Sequence, residues 1–172
     1  MKIALVVLGV LVAIVLLVVL VGWSLPVAHR ASRQATYRAS PDAIYSAITR
    51  VDEFPTWRSK VKAVEMVASP TGARSFRESG DDGTILYVVD EAVPGRRLVT
   101  RIADRSLPFG GRWTYELAPG AEGTTLRITE DGEVYNPLFR FMSRFVFGHR
   151  ATLEAYLTDL GRKLGGMGAI TE

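Results

Sequence analysis

The sequence predicts an α+β protein in which an antiparallel sheet is closed by one long C-terminal helix, all of it carried behind a single N-terminal transmembrane helix. Three observations predict this. Residues 3–23 are apolar and uncharged, and at about 1.5 Å per residue they span roughly 30 Å of hydrocarbon. Residues 61–135 are β-rich runs separated by Pro- and Gly-bearing turns, the punctuation of antiparallel strands. Residues 136–164 open with Asn136-Pro137 and then follow a helical period.

The apolar segment closes its backbone hydrogen bonds internally, Trp23 suits the headgroup level, and residues 24–26 end it at a proline. A cleaved signal peptide is the competing reading. Its apolar region would run about 7–15 residues, and a cut after Ala28 would put Pro26 where a small residue is wanted. Lys2 on one side stands against Arg30, Arg33 and Arg38 on the other, a bias that favours a cytoplasmic C-terminal domain in a single-pass membrane protein. The chain divides into an anchor (residues 1–25), a juxtamembrane linker (26–31), one folded domain (32–164) and a flexible tail (165–172) marked by Gly165, Gly166 and Gly168.

Within the domain, residues 32–39 suit a strand. Ser40-Pro41-Asp42 then supplies an N-cap, a first-turn proline and a first-turn acid for a helix over residues 41–50 with Ala43, Ile44, Ala47 and Ile48 on one face. A second short helical turn falls near Trp57. About six strands fit residues 61–135, with turns at Pro70-Thr71-Gly72, Gly80-Asp81-Asp82-Gly83, Pro94-Gly95, 108–111 and 119–123. Trp113, Tyr115 and Leu117 alternate with polar neighbours, as do Leu126 and Ile128, so one sheet face is wet and the other buried. The closing helix carries Leu138, Phe141, Phe145, Thr152, Tyr156 and Leu160 along one stripe. Its first half adds Phe139, Met142, Val146 and Phe147, which makes it apolar nearly all round and in need of a second partner.

Composition removes whole function classes. With no cysteine, disulfide scaffolds, thiolate zinc sites and cysteine nucleophiles are excluded, and His29 and His149 alone are too few for a His-rich metal site. Twenty-one basic residues face 18 acidic ones, a near balance without a basic stripe or recognition helix, so nucleic acid is not an expected partner. Residues 108–111 lack the lysine of a phosphate loop. Adjacent Glu130 and Asp131 diverge to opposite faces of a strand, which argues against a metal there. No cofactor is expected.

The order strand, two short helices, six-strand run and long helix resembles the helix-grip fold of the START-like superfamily, also called SRPBCC or polyketide cyclase/dehydrase-like. The resemblance rests on Ser40-Pro41 with Ile44-Tyr45, on Phe54-Pro55-Thr56-Trp57, on Pro94-Gly95-Arg96-Arg97-Leu98, and on residues 130–141 (EDGEVYNPLFRF). The last stretch looks like a membrane-anchored bacterial branch. The resemblance implies a curved sheet wrapped around the long helix, with an apolar cavity between them for lipids, polyketides, quinones or steroids.

Large side chains from sheet and helix would line such a cavity. Trp113, Tyr115, Phe141 and Phe145 are the candidates, with Trp57 and Phe54 at its mouth, and a solidly packed core is the competing reading for each. A cavity of roughly 300 Å³ or more opening toward Trp57 would favour a carrier. If Leu126 and Ile128 point inward, period two puts Glu130 inward as well, where burial would raise its pKa and suit it to acid–base chemistry; the alternative returns it to water or to an arginine. The leading expectation is binding or transport of a hydrophobic, lipid-like small molecule beside the bilayer. A cyclase- or dehydratase-type enzyme using Glu130 or a tyrosine as acid or base in the same cavity is the second reading. A module that docks another membrane protein through Phe139, Val146 and Phe147 is the third.

Overall fold

The computed structural model describes residues 2–68, 72–81, 83–148 and 150–172, and the backbone alone of residue 147. His149, Pro70, Thr71, Asp82 and the Phe147 side chain therefore lie outside the described residues. Helix α1 (Lys2–Ser24) is followed by β1 (Ala28–Tyr37), α2 (Pro41–Thr49), a 3-10 turn (Val51–Glu53) and α3 (Phe54–Trp57). Strands β2 (Val61–Val67), β3 (Ser75–Gly80), β4 (Gly83–Val93), β5 (Arg97–Ile102), β6 (Phe109–Gly120) and β7 (Gly123–Val134) come next. The chain ends in α4 (Pro137–Met142), a π-helical turn (Ser143–Phe147) and α5 (Ala151–Lys163).

All seven strands form one antiparallel sheet in the order β1-β7-β6-β5-β4-β3-β2, so the first strand returns to pair with the last. The sheet curves around α5, the helix-grip arrangement. Helix α2 starts where local chemistry dictates. The Ser40 hydroxyl accepts the Ala43 N–H at 3.2 Å, Pro41 occupies the first turn, and Ile44, Ala47 and Ile48 are buried. Along α5, Leu153, Tyr156, Leu157 and Leu160 recur at helical spacing. The three leucines are 0% exposed, each contributing about 1.5–3 kcal/mol of apolar burial against the β1–β7–β6 half of the sheet. There the Tyr37 hydroxyl donates to the Leu157 carbonyl at 2.9 Å.

Four expectations need correction. Strand β1 begins at Ala28 and so takes in residues assigned to a linker; Ala31, Arg33, Ala35 and Tyr37 alternate inward. Arg33 disguised that alternation, because its buried guanidinium is neutralised by Glu154 of α5 at 2.9 Å and by Glu172 at 3.3 Å. The turn placed at residues 108–111 is largely strand, since Phe109 already pairs with Val134. The tail is not free: Gln34 and Thr171 exchange backbone hydrogen bonds at 3.0 and 2.9 Å, and Met167 and Ile170 pack against the core.

The fourth correction concerns the closing helix, which is broken. Gly148 sits at φ +71, a left-handed conformation that side chains rarely adopt, directly after the π-helical turn. The break resets the helical phase, so the stripe read through Phe141 and Phe145 does not continue into α5. Helix α4 instead packs beside α1. Gly22 is buried there, and any side chain at that position would collide with the Pro137 backbone carbonyl.

Leu157→Ala is expected to lower stability by about 2–5 kcal/mol through the cavity it leaves, and Tyr37→Phe by about 1 kcal/mol through loss of its buried hydrogen bond. Urea unfolding of the two variants checks both values, and the rank order would reverse if α5 were not anchored through Leu157.

Candidate functional site

The register of the sheet builds one wall of a cavity. Directly opposed residues share a face, and Phe76 faces Tyr87, Glu78 faces Ile85, Val89 faces Thr100, Thr100 faces Trp113, and Leu98 faces Tyr115. Across from them α5 presents Ala151, Thr152, Ala155, Tyr156 and Asp159, one helical face. Ile48, Val51, Phe54 and Arg58, from α2 through the end of α3, complete the enclosure. The enclosed volume is about 250 Å³, just under the roughly 300 Å³ expected. Most of the lining is aliphatic or aromatic, which favours an apolar occupant.

Its charged groups are Arg58, Lys60, Arg74, Glu78 and Asp159, of which Lys60 and Arg74 are exposed. The Arg58 guanidinium lies 4.9 Å from the ring centres of both Phe54 and Tyr156 and meets Glu78 at 2.5 Å, with both side chains largely buried. Burial works against the charge on Arg58, but Glu78 and the surrounding tyrosines outweigh it and hold the guanidinium pKa above its ordinary value. Removing either partner would strand a charge, which costs about 3–5 kcal/mol in buried pairs. Asp159 is anchored rather than free: one carboxylate oxygen accepts from the Ser59 N–H at 2.7 Å and the Ser59 hydroxyl at 2.8 Å, and the other pairs with Arg162.

Tyr156 is the unusual member. Its ring packs edge-on against Trp57 and Trp113 and tilted against Tyr115, while its buried hydroxyl makes no hydrogen bond of ordinary geometry among the described residues and has the Tyr115 hydroxyl as its polar neighbour. Burial, then the neighbouring Tyr115, pushes its pKa well up, Arg58 pulling the other way. Burial likewise pushes Tyr115 up to about 12, Arg58 limiting the rise, and raises Tyr87. At neutral pH all three are phenols, able to donate a hydrogen bond inside an apolar space and unable to act as resident anions.

Of the residues singled out from sequence, Trp113, Tyr115 and Phe54 line the cavity and Trp57, Glu130, Phe141 and Phe145 do not. Trp57 lies behind the wall, edge-on to Phe54 and Tyr156 at 5.5 and 5.4 Å. Glu130 does share a face with Trp113, its direct partner. It stands one strand beyond the cavity, however, on β7, with its carboxylate 3.4 Å from His29 Nε2. Phe141 and Phe145 pair with each other, ring centres 4.9 Å apart, in the α4 and π-helical stretch, carried away by the break at Gly148. Arg58, Glu78, Phe76, Tyr87 and Tyr156 were missed as site residues. The signal for Glu78 was its two-residue spacing from Phe76.

Raised tyrosine pKa values give a sign to alkaline behaviour. The folded state holds protons that the unfolded chain releases near pH 10, so this contribution to stability is intact below about pH 10 and is lost as pH climbs through the folded values. Tyrosinate absorbance of the folded chain should leave Tyr37, Tyr87, Tyr115 and Tyr156 un-ionised at about pH 11, whereas the unfolded chain titrates all six tyrosines near 10. Full titration of the folded chain near 10 would mean an open, wet site.

The family model for "Polyketide cyclase / dehydrase and lipid transport" matches residues 28–165. No curated protein sequence matches the chain. Among solved structures, a START superfamily protein from Mycobacterium smegmatis is similar at 18% identity and a TM-score of 0.63, over 80% of this chain and 97% of that one. The di-domain aromatase/cyclase StfQ of the steffimycin biosynthetic pathway is similar at 16% identity and a TM-score of 0.60, over 81% of this chain and 50% of its own. A protein from Thermus thermophilus is similar at 19% identity and a TM-score of 0.61, over 80% of this chain and 96% of that one. At such identities the likeness is one of fold. The cavity between sheet and α5 is thus the hollow of a helix-grip domain, and by the extent of the family match the chain belongs to the polyketide cyclase/dehydrase and lipid-transport family.

Proposed function

We propose that the protein binds a hydrophobic, lipid-like small molecule in the cavity between α5 and strands β3–β6 while α1 holds it in a membrane. The observation that carries this reading is a hollow lined mostly by aliphatic and aromatic side chains, with the buried phenols of Tyr115 and Tyr156 in its wall. Burying the ligand's apolar surface gains about 25 cal/mol per Å² removed from water. The Tyr115 and Tyr156 phenols, buried together, would offer a hydrogen bond to an acceptor on the ligand. Helix α1, long and apolar enough to span a bilayer, raises the encounter rate with any ligand that partitions from lipid.

In this proposal the domain stays on the cytoplasmic side, on a charge bias that has narrowed: Arg33 is buried in β1 and Arg38 lies at the far end of that strand, which leaves exposed Arg30 against Lys2. The cyclase or dehydratase alternative used Glu130 or a tyrosine as acid or base; Glu130 lies outside the cavity, and Tyr115 and Tyr156, held protonated at neutral pH, are donors there and not bases. Binding needs no such group.

The test is mass spectrometry of solvent extracts from the full chain purified into nanodiscs of one synthetic lipid. The wild-type chain is expected to carry an apolar molecule that is missing from Ala155→Trp, in which the indole fills the hollow. Identical extracts from the two would reject the proposal.

A further inference from the structure

We propose that residues 137–147 form a second membrane contact, lying in the bilayer interface beside α1 with Leu138, Phe139, Phe145 and Val146 against lipid. These four side chains are between 45% and 59% exposed. Leu138 and Phe139 come from α4 and Phe145 and Val146 from the π-helical turn that directly continues it. A run of large apolar side chains left in water marks an interaction surface.

What covers it follows from its position. Helix α4 lies along the end of α1, with Pro137 seated on Gly22 and the Arg140 guanidinium donating to the Leu25 carbonyl at 2.8 Å. The exposed face therefore continues the surface of α1, whose central residues are wholly uncovered by protein. Trp23, 74% exposed at the end of α1, marks the headgroup depth at which α4 begins. Arg144, exposed among these apolar residues, suits anionic headgroups. Lipid that surrounds α1 would thus surround this face as well. The contact also orients the cavity, because exposed Ala151 and Thr152, which line one edge of it, follow directly after the break at Gly148.

This inference rests on α1 lying in a bilayer and not on the cavity being occupied. The chain lacks cysteine, so single nitroxide labels can be attached to Leu138→Cys and Phe145→Cys in the full chain, reconstituted in phosphatidylcholine–phosphatidylglycerol vesicles. Val12→Cys in α1 serves as the lipid reference and Glu116→Cys, exposed on β6, as the water reference. Circular dichroism checks that each variant is folded, and two independent sites guard against loss of one. Labels at 138 and 145 are expected to collide more with oxygen than with a water-soluble nickel chelate, as at Val12. Water-like collisions at both, with Val12 in lipid, would overturn the second contact alone. Shielding from both reagents with spin–spin broadening would also overturn it, because a second copy would then be the occupant. Water-like collisions at Val12 itself would remove the tether and the proposal together.

Discussion

A guanidinium between two rings sets the shape of the interior. Arg58 leaves the end of α3, lies between Phe54 and Tyr156, and meets Glu78 of β3, so a hydrogen-bonded ion pair occupies the gap between α5 and the β3 side of the sheet. An ion pair of this kind holds a fixed geometry because either charge left alone in low dielectric is costly. On the other side of α5 the Arg33–Glu154 pair lies at the β1 edge of the sheet, and Leu153, Leu157 and Leu160 close directly onto β1, β7 and β6. One helix therefore has a dry, filled side and a side held off from the sheet. The hollow is the consequence of that asymmetry.

Tyr156 joins the two sides. Its ring belongs to the core with Trp57, Trp113 and Tyr115, and its hydroxyl belongs to the cavity. A largely apolar chamber with several phenolic donors and the paired Arg58 and Glu78 selects by shape and by one or two hydrogen bonds. Strands β1 and β7 and the returning C-terminal residues form a separate brace. Arg33, Glu154 and Glu172 tie α5 to the first strand at the edge of the sheet, so the filled side stays rigid while the other remains hollow.

The elements governed by local chemistry were legible in the sequence: the Ser40 cap, the turns at Pro94-Gly95 and within 119–123, the alternation through Trp113 to Leu117, and the helix-grip order of elements. The misreadings share one physical cause, side chains whose placement depends on partners distant in the chain. Arg33 looked like a surface residue because Glu154 and Glu172 lie more than a hundred residues away. Glu78 could not be singled out for the same reason, its partner Arg58 sitting across the interior. Gly148 lies within the stretch read as one helix, and its left-handed φ marks where α4 and the π-helical turn part from α5. Phe141 and Phe145 followed that break out of the cavity.

The site thus joins a hollow built by an asymmetric interior to a membrane helix and to an apolar segment that runs beside it. All of this depends on the space by Tyr156 being empty of protein and hospitable to nonpolar atoms. The most direct measurement is a crystal structure of the full chain under xenon pressure, after any bound molecule has been stripped. Xenon electron density among Phe76, Tyr87, Trp113 and Tyr156 is the predicted result, since a dry apolar cavity accepts xenon. Density for side chains that fill the space, or for an ordered water cluster that xenon cannot displace, would contradict it.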